Sequence, residues 1–78
     1  MKTTKYFDVT RQRLDRTGID LQWIEYVINH PQHEVIQHDG RVRRWAAIAA
    51  AENRILRVVL LPDGQTVHNA FFDRRFKP

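Results

Sequence analysis

Arginines and one tryptophan recur in the second half of the chain at spacings that suit one side of a β-sheet. Arg41, Arg43 and Trp45 alternate in one segment, and Arg57 stands in the next. Alternate residues of a strand project to the same face, so these side chains are predicted to share a surface. Guanidinium groups bind phosphate and aromatic rings stack on bases, which is typical of single-stranded RNA binding. A solvated strand face of a basic protein has the same pattern, so this alternative stays open.

The chain ends in a second group of cations. Arg74, Arg75 and Lys77 follow the last apolar segment within a few residues. Phosphate contacts supply most of the affinity of nucleic-acid binding and carry little sequence information. We therefore predict that Arg75 and Lys77 extend the RNA-binding surface.

His68 is the residue that we predict to transfer a proton if this surface cleaves RNA. Cleavage without a metal needs a base for the 2′-hydroxyl, a cation for the phosphorane and an acid for the leaving oxygen. Arg57 and Arg43 are predicted to hold the phosphate, and Arg74 or Arg75 to stabilise the developing charge. A lone strand histidine is often structural, so that interpretation stands beside the catalytic one. Alternatives for the proton transfer are His38, Tyr6, Tyr26 and Asp73.

His30 and His33 are close enough in sequence to suggest a metal site, but Pro31 separates them. Proline ends a helix, so the two imidazoles are not held on one helical face, and no trio of carboxylates completes a ligand shell. The sequence has no cysteine, no glycine-rich phosphate loop and no serine nucleophile motif. We predict no metal and no cofactor.

Two helical segments precede these strands. The first is predicted over residues 8–16, capped by Asp8 and ended by Gly18. The second is capped by Asp20 and ends before Pro31. Its apolar stripe consists of Leu21, Ile24, Val27 and Ile28. Trp23 and Tyr26 flank the stripe and are predicted to lie at the margin of the core, with a ligand platform as the alternative.

Four strand-like segments follow, at residues 34–38, 41–48, 55–61 and 66–72. Asp39 and Gly40 predict a two-residue hairpin turn, and residues 62–65 predict another turn. Residues 49–53 are predicted to be a connection to which the alanines could add a helical turn. The chain is therefore predicted to be a single α+β domain over residues 1–78, in which two N-terminal helices are followed by a four-stranded antiparallel meander.

A sheet with helices on one side is predicted to have an opposite, open face. Leu56, Val58 and Leu60 form the fully apolar set of the third strand and are assigned to the helices, which leaves Arg57 on the open face. In the second strand Val42, Ala46 and Ile48 are assigned to the core. Arg44 shares their face by alternation, although its side chain is charged.

The fourth strand fits two assignments. If Phe72 and Ala70 face the core, His68 does so as well. If Phe71 and Val67 face the core, His68 joins the open face near Arg57. The sequence leaves both possibilities open.

Charge is concentrated in the second half of the chain. Residues 41–78 contain eight Lys/Arg and three Asp/Glu, whereas residues 1–40 contain five and six, and ten of the thirteen cations are arginine. This distribution favours an anionic partner. The lack of cysteine fits a reducing compartment, and we see no hydrophobic signal segment or membrane-spanning run. We therefore expect a cytoplasmic protein that has no membrane partner.

Four short sequence motifs occur in an order that resembles a known family. They are Arg13-Leu-Asp-Arg-Thr-Gly18-Ile19, Asp39-Gly-Arg-Val-Arg43, Leu56-Arg-Val-Val59 and Phe71-Phe-Asp-Arg-Arg-Phe76. Together they resemble the small, largely uncharacterised bacterial proteins allied to the RelE/ParE and BrnT toxin superfamily, over nearly the whole chain.

The resemblance implies a sheet packed on helices and a ribonuclease that acts alone or on the ribosome and is neutralised by an antitoxin chain. It also implies that Arg57 is the central arginine of the site and Arg74 or Arg75 its terminal cation. The chain departs from the family in carrying Val9 where many relatives have a histidine, and in lacking a tyrosine after the fourth strand.

A non-catalytic interaction module is the alternative function. In that interpretation the surface of Trp45, Phe71 and Phe72 pairs with a partner chain or a second copy, and the arginines keep the protein soluble. The edge strand at residues 34–38 could promote a homodimer.

Overall fold

The structure, a computed structural model, describes residues 1–13 and 18–77. It is an α+β fold with two α-helices and one antiparallel sheet whose four strands follow sequence order. This class and the meander confirm the prediction. The elements are α1 (Lys5–Thr10), α2 (Leu21–Asn29), β1 (His33–Ile36), β2 (Val42–Ile48), a 3-10 helix (Ala49–Ala51), β3 (Arg54–Leu60) and β4 (Val67–Phe72).

Not all helical structure precedes the strands. The 3-10 helix connects β2 to β3, as the alternative for the alanines allowed. Thr3, which comes before α1, forms a parallel bridge with Val67 of β4. The chain therefore begins on the β4 edge of the sheet and only then enters its first helix.

The predicted cap of the first helix is wrong. Thr4 is the N-cap, and its hydroxyl oxygen accepts from the backbone N–H of Phe7 at 3.1 Å. Asp8 lies inside the helix, where its carboxylate accepts from the hydroxyl of Thr3 at 2.7 Å. Both residue types are good caps, but the bridge of Thr3 to β4 fixes the chain just before Thr4. The helix ends at Thr10 with Arg11 as its C-cap, so the prediction that it continues toward Gly18 is wrong at residues 11–13. The part of that prediction that covers residues 14–17 lies outside the described residues.

The second helix follows its prediction closely. The Asp20 carboxylate accepts from the backbone N–H of Gln22 at 2.8 Å, and the helix ends at Asn29, ahead of Pro31. Ile24 and Val27 are buried, and Trp23 and Ile28 pack against the core. The predictions for Leu21 and Tyr26 are wrong, because both residues are exposed.

The first hairpin has a three-residue loop, so the predicted two-residue turn is wrong. The backbone N–H of Gln37 donates to Arg41 at 2.7 Å, and that of Gly40 donates back to Gln37 at 2.9 Å. Asp39 and Gly40 therefore occupy the last two loop positions instead of the whole turn. Gly40 has φ of 91°, which completes a tight turn with a left-handed residue.

The core lies between the helices and one face of the sheet. Helix α2 packs on β2 and β3, while α1 packs on β4. Leu56, Val58 and Leu60 are fully buried there, as predicted. Arg44 shares this face at its edge, where its Nε lies 2.6 Å from a carboxylate oxygen of Glu34 and its NH1 donates to the Ile28 carbonyl at 3.1 Å. These contacts pair the charge of Arg44 with a carboxylate and give a donor to the Ile28 carbonyl near the end of α2.

A β-bulge settles the ambiguity in β4. Val59 pairs with Asn69 and Leu60 pairs with Val67, so the register omits His68. The extra residue breaks the alternation, and Val67 and Ala70 both belong to the core. The assignment of Ala70 and Phe72 to the core is therefore correct for the second half of β4, and the assignment of Val67 to the core is correct for its first half.

Candidate nucleic-acid interface

One row of side chains crosses all four strands on the open face. The register places His33 opposite Trp45, Trp45 opposite Arg57 and Arg57 opposite Phe71. The guanidinium carbon of Arg57 lies 5.6 Å from the centroid of Trp45 and 5.1 Å from that of Phe71. The predicted sharing of this face by Arg57 and Trp45 is confirmed, and a cation is held between two aromatic rings.

Arg43 lies one row further along the same face, between Val35 of β1 and Val59 of β3. Partial burial, together with the positive charge of Arg43, lowers the pKa of Arg57, while Asp73 acts in the opposite direction. Arginine stays protonated at neutral pH, so the register brings two positive charges to adjacent strands of this face. The face therefore has an electrostatic environment suited to an anion.

The donors of Arg57 are incompletely satisfied. Its Nε–H is buried with no hydrogen-bond acceptor among the described residues. Its NH1 lies 3.9 Å from a carboxylate oxygen of Asp73, which is longer than a hydrogen bond. An unsatisfied buried donor costs about 1–3 kcal/mol, so this guanidinium would gain from an additional acceptor.

Trp45 is covered, which differs from the accessible stacking surface that we expected. It is 6% exposed. The ring of Phe76 stacks on it with centroids 4.9 Å apart and planes inclined by 21°. His33 packs against both rings, at 5.4 Å from Trp45 and 5.3 Å from Phe76.

Asp73 joins the tail of the chain to the row. One carboxylate oxygen accepts from the indole N–H of Trp45 at 3.1 Å, and the other accepts from the backbone N–H of Arg75 at 3.0 Å. Burial alone would raise the pKa of Asp73, but these hydrogen bonds and the charge of Arg57 outweigh it and hold the pKa below its usual value. The carboxylate is therefore ionised at neutral pH.

The remaining predicted cations lie around this row. Arg41, at the entry to β2, has its Nε 3.7 Å from a carboxylate oxygen of Asp39. Arg74, Arg75 and Lys77 are exposed beyond β4. The sequence did not identify His33, Asp73 or Phe76 as parts of the arrangement around Trp45.

His68 lies against α1. Its ring stacks on Tyr6 with centroids 4.7 Å apart, and its Nδ1 lies 3.1 Å from the hydroxyl oxygen of Thr4. The contacts of Arg57 are instead with Trp45, Phe71 and Asp73, and Arg74 is exposed in the turn that follows β4. The structure thus places the predicted catalytic residues His68, Arg57 and Arg74 in three separate environments.

We expect His68 to make stability depend on pH. Burial, and to a smaller extent the charge of Arg41, lowers the pKa of His68 below 6.5. As the pH falls through about 6.5, the unfolded chain binds this proton before the folded chain does, so stability decreases. Urea unfolding at a series of pH values from about 8 to 5 should show a smaller decrease in the His68→Gln variant. An equal decrease in both proteins would contradict the assignment.

No group of three or more His, Asp or Glu side chains in residues 1–13 and 18–77 is arranged to hold a metal ion. In the same described part of the chain, no helix has the length and apolar composition needed to cross a membrane.

Comparison with known proteins finds no relative of this chain. The chain matches no protein-family model, no curated protein and no solved structure. The resemblance to the RelE/ParE and BrnT proteins therefore remains a prediction that depends on the four sequence motifs.

Proposed function

We propose that the protein binds single-stranded RNA through the open face of its sheet. The observation that carries the proposal is the register that places Arg43 and Arg57 on adjacent strands, one row apart on the open face, with a carboxylate oxygen of Asp73 3.9 Å from NH1 of Arg57. Two neighbouring guanidinium groups repel each other, and a bound phosphate relieves that repulsion and offers an acceptor to the unsatisfied donor of Arg57. The fold holds both cations on adjacent strands, so their relative positions are set before a ligand binds.

The chemistry around these two arginines favours a nucleic acid over a small anion. Aromatic rings flank Arg57 on both sides. Further cations lie at Arg41 and along the exposed tail, so positive charge extends beyond a single phosphate site. A strand with repeated phosphates and unpaired bases matches such a surface, since bases stack on rings while phosphates contact the cations.

Equilibrium binding of a fluorescein-labelled RNA of about 12 nucleotides tests the proposal. In low salt with EDTA, Arg43→Gln should weaken binding by about fivefold or more, because each charged contact contributes on the order of 1 kcal/mol. Arg54→Gln is the matched control, since Arg54 is an exposed arginine of β3 on the opposite side of the sheet from Arg57. Equal losses in the two variants, or no binding by the parent protein, would contradict the proposal.

The resemblance to the RelE and BrnT toxins extends the proposal to a metal-independent endoribonuclease with an antitoxin partner. This extension assigns the proton transfer to His68, which would have to reach the RNA from its position beside Tyr6 and Thr4. The same RNA examined on a denaturing gel should be cut by the parent protein and cut more slowly by His68→Gln. Intact RNA under conditions of saturated binding would leave an RNA-binding protein without the nuclease activity.

A further inference from the structure

The last residues of the chain fold back over the aromatic row. We call residues 73–77 the C-terminal strap. Phe76 places its ring on Trp45 at 4.9 Å, nearly parallel. Asp73 places its carboxylate between the indole N–H of Trp45 and the guanidinium of Arg57. The strap thus brings one flat ring and one anionic group to the site at the same time.

These two groups are the kinds of group that a nucleotide would bring. A base offers a flat ring that stacks on an indole, and a phosphate offers anionic oxygens to a guanidinium. The strap fills the second role incompletely, because Asp73 stays 3.9 Å from NH1 of Arg57 and Nε of Arg57 has no acceptor among the described residues. A phosphate has more acceptor oxygens than a carboxylate and could satisfy more of these donors.

The strap is also held in a way that permits exchange. It follows β4 as a short turn, and the side chains of Arg74, Arg75 and Lys77 are exposed. A backbone hydrogen bond from Asp73 to the Ile55 carbonyl, 2.8 Å long, fixes the start of the strap on β3. Beyond Asp73, the described contact of the strap with the row is the ring of Phe76 on Trp45 and His33. Once displaced, its cations would remain near the next phosphates of the bound strand.

We propose that Trp45, Arg57 and Arg43 form a nucleotide subsite that the strap occupies in the free protein and that an entering base and phosphate of single-stranded RNA take over. This inference rests on the proposed RNA binding. It assigns Trp45 as the residue that stacks on a base, Arg57 and Arg43 as the residues that bind the adjoining phosphate, and Phe76 as an internal competitor. RNA affinity is then set in part by the free energy of opening the strap.

Fluorescence of Trp45 tests the subsite directly. In a Trp23→Phe background Trp45 is the sole tryptophan, and titration with an oligouridylate of about 12 nucleotides should quench its emission.

Phe76→Ala should tighten binding of this RNA by about fivefold or more, because the base no longer displaces a ring. An abasic strand of equal length should bind the parent protein and Phe76→Ala alike. Phe76→Leu, which keeps an apolar side chain but removes the stacked ring, should also tighten RNA binding and guards against misfolding of the alanine variant.

The outcomes separate the two proposals. RNA binding with unchanged Trp45 emission and equal affinity in Phe76→Ala and Phe76→Leu would overturn the subsite and leave RNA binding in place. Equal tightening for the abasic strand would overturn base stacking, because the gain would then come from freeing the cations alone. An absence of binding by every variant in low salt would overturn the proposed function and the subsite together.

Discussion

Replacing Trp45 by alanine is expected to lower the free energy of unfolding by about 3–5 kcal/mol. The indole is 6% exposed on the sheet face opposite α2, where its contacts come from neighbouring strands and from the tail. Its removal takes away the partner of Phe76 and leaves the Asp73 carboxylate without its indole donor. A chain of this length has a total stability of about 4–12 kcal/mol, so the loss would be a large fraction of the whole.

Urea unfolding followed by circular dichroism measures this loss, and Trp45→Phe serves as the matched variant. Phenylalanine keeps a ring that can stack on Phe76 but removes the indole N–H that donates to Asp73. We expect it to cost about 1–2 kcal/mol, less than the alanine variant. A loss below about 1 kcal/mol in Trp45→Ala would show that the ring is not packed on the open face as the structure has it.

The elements that the sequence predicted well are those whose signals are local. Asp20 and Pro31 delimit α2 through capping and through the missing proline N–H, and neither effect needs a distant partner. The alternation around Arg57 predicted its face correctly because strand periodicity is set by backbone geometry alone. The same geometry predicted Arg43 and Trp45 on the open face.

The features that the sequence did not predict depend on contacts between distant parts of the chain. Thr4 and Asp8 are both good caps, and the pairing of Thr3 with β4 favours the earlier one. The bulge at His68 interrupts an alternation that fitted either face equally well. Phe76 belongs to no periodic element, and its place is determined by the ring of Trp45, so no local pattern could have revealed the strap.

The affinity for single-stranded RNA is expected to fall steeply with salt. If roughly four of the cations on the open face and tail each contact a phosphate, binding should weaken by about 50-fold between about 50 and 200 mM monovalent salt. Neutralising one phosphate contact lowers the slope of log K against log salt by about 0.7 for a single strand. Arg43→Gln should therefore show a shallower slope, and Arg43→Gln combined with Arg41→Gln a shallower slope still.

The slope distinguishes a phosphate contact from an indirect effect on folding, because a merely destabilised protein binds less RNA without losing a counterion-releasing contact. Arg54→Gln removes the same charge from the other side of the sheet and should keep the parent slope. Anisotropy titrations at four or more salt concentrations, with folding verified by circular dichroism at each one, measure it. The loss of a phosphate contact must make the slope shallower. Identical slopes for Arg43→Gln and the parent protein would therefore show that Arg43 does not contact a phosphate in the complex.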